Sequence, residues 1–156
     1  MTAAATEVRA ARFASLDSAT LYEILRLRVD VFVVEQQAAY ADLDGRDREP
    51  STVHLWVEDT GVPVSYLRVL AEPELGGSRI GRVVTAAGWR HRGLAGTLIV
   101  EALRAWCDEP VWLEAQAHLE GWYGRFGFVV CGPDYLEDGI PHVPMVRRHP
   151  VAGPRS

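Results

Sequence analysis

The sequence predicts a single α/β (α+β) domain, and three observations carry that prediction. A strand-like run, Arg79 to Thr85, leads through a glycine-bearing turn into a helix-like run, Leu94 to Trp106. A further strand-like run, Val111 to Ala115, follows that helix. Upstream, Val53 to Asp59 and Val62 to Ala71 are strand-like runs joined around Gly61, which predicts an antiparallel hairpin. At 156 residues the chain fits one domain, 1–156, with one substantial core over about 6–148.

The remaining elements follow in order. Val8 to Ala14 alternates loosely and reads as a first strand. Asp17 or Ser18 can cap a helix that runs to about Glu35. Its apolar positions include Leu21, Ile24, Leu25, Val31 and Phe32, and Arg28 falls on the same stripe. Arg28 is therefore either a salt-bridged arginine at the core's edge or a residue lining an acceptor site. Ala38 to Thr52, rich in Asp, Arg, Gly and Pro, reads as a solvated mixed-charge loop. Its D-x-D-G start lacks the glutamate that a calcium loop needs, because position 53 is Val. Glu72 to Gly77 is a turn, and Pro110 closes the second helical region. Phe128 to Gly132 and Val143 to Arg148 are closing strands around a Pro133-to-Pro141 loop, and Pro150 to Ser156 reads as a frayed tail.

Composition excludes several function classes. A hydrophobic content of 48% with 24% charged residues is globular rather than disordered. The net charge of −5 argues against a general nucleic-acid binder and weakly favours a cationic partner such as an amine. No run approaches the ~20 apolar residues of a membrane span. Met1 to Ala11 carries Glu7 and Arg9 and does not read as a signal peptide. Cys107 and Cys131 have no metal-ligand spacing, so no metal is expected. Reduced thiols and a cytoplasmic location are the expectation.

The turn Arg90-His91-Arg92-Gly93-Leu94-Ala95-Gly96 suits a pyrophosphate. It sits at a helix N-terminus, where free backbone N–H groups and the helix dipole favour an anion. Arg90 and Arg92 add positive charge there. The chain contains no lysine, since all 16 basic residues are Arg, so a Walker loop and a Schiff-base enzyme are both excluded. Gly88, Gly93 and Gly96 have the wrong spacing for a dinucleotide fingerprint. A Ser-His-Asp hydrolase fails for want of a G-x-S-x-G elbow.

What remains is Arg90-x-x-Gly93-x-Ala95, which resembles the acetyl-CoA pyrophosphate loop of the GNAT N-acetyltransferases. Tyr123-x-x-x-Gly127-Phe128 resembles the segment of that family in which a short helix carries a tyrosine into the next strand. Gln116, seven residues earlier, stands where the family often has Asn. Arg28-x-x-Val31-Phe32-Val33-x-Glu35-Gln36 with Asp42-Leu43-Asp44, and Tyr135 to His142, resemble the ElaA-like branch. The resemblance covers roughly residues 6 to 148. Ala87 and Ala39 depart from it at positions that are often Pro, which affects two turns and no chemistry.

The resemblance implies a single GNAT-like domain whose central, mostly antiparallel sheet is splayed and flanked by helices. It implies acetyl transfer from acetyl-CoA, the cosubstrate, to a primary amine on a small molecule or a protein. Val83, Val84, Thr85, Arg90, His91, Arg92, Gly93, Leu94, Ala95, Gly96 and Gln116 would bind the cosubstrate. Tyr123 would protonate the departing thiolate, or else serve as a packing residue. Glu35 and His142, with Gln36, would meet the amine beside the thioester, or else hold a helix end and a loop. His54, His118 and Glu114 are further candidate bases. Exposed strands make a homodimer an expectation. A non-catalytic acyl-CoA-binding or sensing module on the same fold is the alternative function.

Overall fold

The computed structural model describes residues 6–148. Eight strands form one sheet: β1 (Arg9–Arg12), β2 (Val53–Asp59), β3 (Val62–Ala71), β4 (Ser78–Thr85), β5 (Val111–Gln116), β6 (Val129–Val130), β7 (Tyr135–Glu137) and β8 (Ile140–Arg147). Their order is β1-β2-β3-β4-β5-β8-β6, with β7 also on β8. Every neighbouring pair is antiparallel except β4 and β5. The α-helices are α1 (Ser18–Arg28), α2 (Leu94–Ala105) and α3 (Glu120–Gly124). This is the mostly antiparallel α/β sheet, flanked by helices, that the resemblance implies.

The sheet buries both faces. Leu55, Leu67, Ile80, Leu113 and Met145 pack with Leu98, Ile99 and Ala102 of α2. On the other face, Trp56, Tyr66 and Val84 pack with Ile24, Leu27 and Val31. The alternation Leu55/Trp56 and Tyr66/Leu67 serves both layers, as the period of two in a strand requires.

Three element boundaries differ from the sequence prediction. The first strand is shorter, because Phe13–Ser15 turns into a 3-10 helix. The helix capped by Asp17, whose carboxylate accepts from Thr20 N at 2.7 Å, does reach Glu35. Its last seven residues, Val29–Glu35, wind as a π-helix. The predicted closing strands shift: β6 is only Val129–Val130, whereas β8 starts at Ile140 and recruits Tyr135–Glu137 as β7. The loop Pro133 to Pro141 is thus mostly a tight hairpin, turned by Asp138 and Gly139 at positive φ. The predicted tail, Pro150 to Ser156, lies outside the described residues.

The larger correction concerns the Ala38-to-Thr52 loop. It is not a solvated mixed-charge segment, because Asp42 and Asp47 are buried. Arg28, fully buried, donates from Nε to Asp42 at 2.9 Å and from Nη1 to Asp47 at 2.7 Å. Arg68 reaches Asp47 at 3.1 Å and Asp44 at 2.5 Å. Arg82 lies 2.9 Å from Asp42 and stacks over the Tyr40 ring, whose hydroxyl donates to Asp42 at 2.6 Å. His54 bridges the Tyr66 hydroxyl, at 2.6 Å, and the Asp47 carbonyl, at 3.0 Å. Three guanidiniums face three carboxylates, so burial leaves no net charge uncompensated. Arg28 is therefore a structural cation, the first of its two predicted roles.

This network holds a bulge in β4. Tyr66 pairs with Val84 and Arg68 with Gly81, so Leu67 alone faces two residues, Arg82 and Val83. Arg82 takes up the extra residue at φ +53, a left-handed conformation that costs an L-residue energy. Its ion pairs to the 40–47 loop offset that cost.

Cys107 and Cys131 are unpaired. Burial, with Glu109 and Asp108 nearby, pushes the Cys107 thiol up to about 12, which keeps it protonated and unreactive.

Two outcomes follow from the network. Asp47→Asn leaves Arg28 and Arg68 short of a counter-charge and should cost about 3 kcal/mol of unfolding free energy in urea melts. Arg68 holds the Asp44 carboxyl well below the usual range, and at Asp47 the two arginines outweigh burial and do the same. Their stabilisation is complete above about pH 4 and is lost as pH falls from there toward the depressed folded values. The bulge separates backbone from side chain. Arg82→Gly and Arg82→Ala both delete the ion pairs, but only glycine adopts φ +53 freely. The glycine variant should be the more stable by about 1 kcal/mol.

Candidate active site

The parallel pair β4–β5 is joined at one end only. Ser78 pairs with Val111 and Arg79 with Trp112, and no further pair forms. Gly77, at φ +81, brings the chain against Pro110, and Ser78 N donates to the Pro110 carbonyl at 3.0 Å. A Cβ on Gly77 would lie 1.8 Å from that carbonyl oxygen, so only glycine closes this vertex. Beyond it the strands diverge, and Ile80 to Thr85 run without a partner on the β5 side.

A cavity of about 980 Å³ occupies the opening on the α2–α3 side. Val83, Val84 and Thr85 form one wall. The turn residues Trp89, Arg90, His91 and Gly93 and the start of α2, Leu94 to Thr97, form the end. Leu119, Trp122, Tyr123, Arg125 and Phe126 form the opposite wall. Of the predicted cosubstrate residues, Val83, Val84, Thr85, Arg90, His91, Gly93, Leu94, Ala95 and Gly96 line this cavity. Arg92 and Gln116 are not among its lining residues.

The backbone of the turn leaves donors free at the start of α2. Ala87–Trp89 forms a 3-10 turn without the family's proline, closed by Trp89 N to the Ala86 carbonyl at 2.8 Å. His91 and Gly93 both have positive φ, at +65 and +75. Gly93 caps α2 with no side-chain capping bond, and the first helical bond runs from Thr97 N to the Gly93 carbonyl at 3.0 Å. The N–H groups of Leu94, Ala95 and Gly96 therefore have no acceptor among the described residues, and they face the helix's positive end.

The two arginines of the turn are committed elsewhere. Arg90 Nη2 lies 2.8 Å from a Glu35 oxygen, and its Nε donates to the Thr85 carbonyl at 3.1 Å. Arg92 stacks on the Trp89 ring at 4.5 Å and donates to the Gly88 carbonyl. They brace the turn, Arg90 from the cavity lining and Arg92 away from it, so the uncommitted donors of the turn are mainly backbone N–H groups.

Tyr123 is buried against Trp122 and Phe128, edge-on to both rings. Burial raises its hydroxyl well above the ordinary tyrosine value, so it keeps its proton at any working pH. A buried phenol in an open cavity can donate a proton and cannot serve as a base.

Of the remaining predicted residues, Gln36, Gln116 and His142 come together at the C-terminal end of β5. Gln116 donates to Gln36 at 3.2 Å and lies opposite His142 in the β5–β8 register. His142 shares a hydrogen bond with the Ile140 carbonyl at 2.7 Å and stacks on Tyr135. The structure thus brings Gln36, Gln116 and His142 together and ties Glu35 to the turn through Arg90. Neither Glu35 nor His142 lines the cavity. Glu114 is held by Arg79 at 3.1 Å and by the Tyr135 hydroxyl at 2.7 Å. His54 is buried in the arginine–aspartate network, and burial lowers its affinity for a proton. His118 is exposed in the 3-10 turn Ala117–Leu119. No group of three or more His, Cys, Asp or Glu could hold a metal ion among the described residues, and no helix there is long and apolar enough to cross a membrane.

Sequence reasoning missed the aromatic wall, Trp89, Trp122 and Phe126, and the second turn of α2, Thr97, Val100 and Glu101. The α2 residues were within reach. They lie one, four and five positions beyond Gly96, and the helical period returns the last two to the face that carries the turn.

Comparison with known proteins agrees with this geometry. The model of the acetyltransferase (GNAT) domain matches residues 20–149. Protein ElaA of Escherichia coli is 40% identical over 139 residues, spanning 85% of this chain and 90% of its own. A UPF0039 protein of Mycobacterium tuberculosis is 45% identical over 135 residues, covering 85% of this chain and 86% of its own. The crystal structure of an acyl-CoA N-acyltransferase from Pseudomonas aeruginosa superposes with a TM-score of 0.86 at 42% identity, over 92% of this chain and 99% of that one. That of Escherichia coli ElaA gives 0.85 at 36% identity, with the same coverage of both chains. The chain belongs to the GNAT acetyltransferase family, in its ElaA-like branch.

Proposed function

We propose that this protein is an N-acetyltransferase that takes acetyl-CoA and acylates a primary amine. The observation that carries this reading is the opened β4–β5 pair, whose cavity ends on three uncommitted N–H groups at the start of α2. A cavity of about 980 Å³ that is part aromatic and part free backbone donors fits an extended anionic ligand. The name of the Pseudomonas relative supports an acyl-CoA donor, and that of the family supports acetyl.

The bound thioester supplies the activated acyl group, and the chain does the rest. The Leu94, Ala95 and Gly96 N–H groups hold the pyrophosphate. The free edge of β4 at Val83 to Thr85 lies beside the extended arm and can donate N–H to the carbonyl oxygen as charge builds there. As the amine nitrogen bonds to the carbonyl carbon and the C–S bond breaks, Tyr123, kept protonated by burial, gives its proton to the departing thiolate. The proton that the amine sheds passes through water to restore the phenol. The amine approaches from the C-terminal end of β5, where the imidazole of His142 and the amides of Gln36 and Gln116 can orient it.

Two variants test this. Gly93→Asp keeps the packing, because a Cβ there meets nothing within 4 Å, and Asp tolerates positive φ better than most residues. It sets a carboxylate against the phosphates, so CoA affinity measured by calorimetry should fall at least tenfold, about 1.4 kcal/mol. Unchanged affinity in the folded variant would remove the phosphate-loop assignment. Tyr123→Phe removes one hydroxyl and keeps the ring. Thiol release with a panel of primary amines should slow by about 10²-fold in kcat at unchanged CoA affinity. Equal turnover would leave Tyr123 as packing only. Wild-type protein that binds CoA but releases no thiol with any amine would favour a non-catalytic binding module.

A further inference from the structure

CoA carries two separate anionic groups, a pyrophosphate and a ribose 3′-monophosphate. The helix N-terminus provides one anion site. The monophosphate, close to a dianion at neutral pH, needs a counter-charge of its own, and the chain as a whole is acidic at −5.

Among the described residues only two arginines line the cavity, Arg90 and Arg125. Arg90 is neutralised by Glu35 and spends its Nε on the Thr85 carbonyl. Arg125 has no ion pair and no side-chain hydrogen bond among the described residues. Its neighbour Phe126 lies 3.4 Å from where a Cβ of Gly96 would stand, so this corner of α3 abuts the first turn of α2. Arg125 also lines a smaller pocket of about 350 Å³ together with Arg104 and Arg147. Those two are paired with Glu101 and Glu109. Three guanidiniums against two carboxylates leave one positive charge, and it belongs to Arg125.

We propose that Arg125 binds the 3′-phosphate of CoA. The inference rests on the acyl-CoA reading above and names a residue that discriminates CoA from its dephosphorylated form. The planar guanidinium can meet two phosphate oxygens at once, a geometry that suits arginine better than lysine. Being exposed and unpaired, it can do so without leaving another group unsatisfied.

Calorimetry with CoA and 3′-dephospho-CoA tests this directly. Wild-type protein should prefer CoA by about tenfold, or about 1.4 kcal/mol. Arg125→Gln should reduce that preference below about threefold while hardly changing affinity for 3′-dephospho-CoA. Arg48→Gln removes an equal charge from an exposed turn away from the cavity and should leave the preference intact. Arg125→Gln that keeps the full preference overturns the assignment. So does a wild type that binds both ligands equally, and that result leaves the CoA reading standing. A wild type that binds neither overturns both.

Discussion

The bulge in β4 is the constraint on which the rest of the structure depends. A regular β4 would continue its ladder with β3 and keep one side-chain parity throughout. The extra residue at Arg82 bends the strand and changes that parity, so Ile80 packs under α2 while Val84 packs under α1. The residues after it, Val83 to Thr85, then form the wall of the cavity. An arginine at φ +53 would not hold this conformation unaided. Asp42, Asp44 and Tyr40 hold it, and they are held in turn by Arg28 and Arg68. A buried network of this kind contributes little net stability over an apolar core, and its value lies in fixing one geometry. Here the geometry fixed is that of the strand that walls the cavity.

From that constraint the site follows in two steps. The vertex at Gly77 and Pro110 joins β4 to β5, and the bulge turns β4 away, so an opening forms between two strands that remain anchored. The turn after β4 then starts α2 beside the opening, and its glycine cap leaves three donors unsatisfied. The Glu35–Arg90–Thr85 chain ties the π-helical end of the first helix to the end of β4. The two helical layers therefore meet at the site, one providing the free N–H donors at the start of α2 and the other bracing the turn before them.

Much of this was legible in the sequence. Elements with a sustained apolar run or stripe bounded by turn residues were read within a residue or two: the Val53–Asp59 and Val62–Ala71 hairpin, α2, and β5. Glycine spacing located the turn because only glycine spans such φ values cheaply. The 40–47 loop was misread, because Asp beside Arg in a turn signals solvent unless a partner waits elsewhere. Those partners, Arg28, Arg68 and Arg82, lie 14 to 40 residues away in sequence. For the same reason the pairing of Arg90 was hidden: nothing local announced Glu35, 55 positions earlier. Short β6 and β7 were blurred because their residues are exposed and carry no alternating pattern.

A crystal structure with acetyl-CoA tests the central claim most directly. The account predicts the pyrophosphate within hydrogen-bond distance of the Leu94, Ala95 and Gly96 N–H groups. It predicts the extended arm along Val83 to Thr85, with the thioester sulfur facing Tyr123. Acetyl-CoA bound outside the β4–β5 opening, or bound there with its pyrophosphate away from the α2 N-terminus, would contradict it.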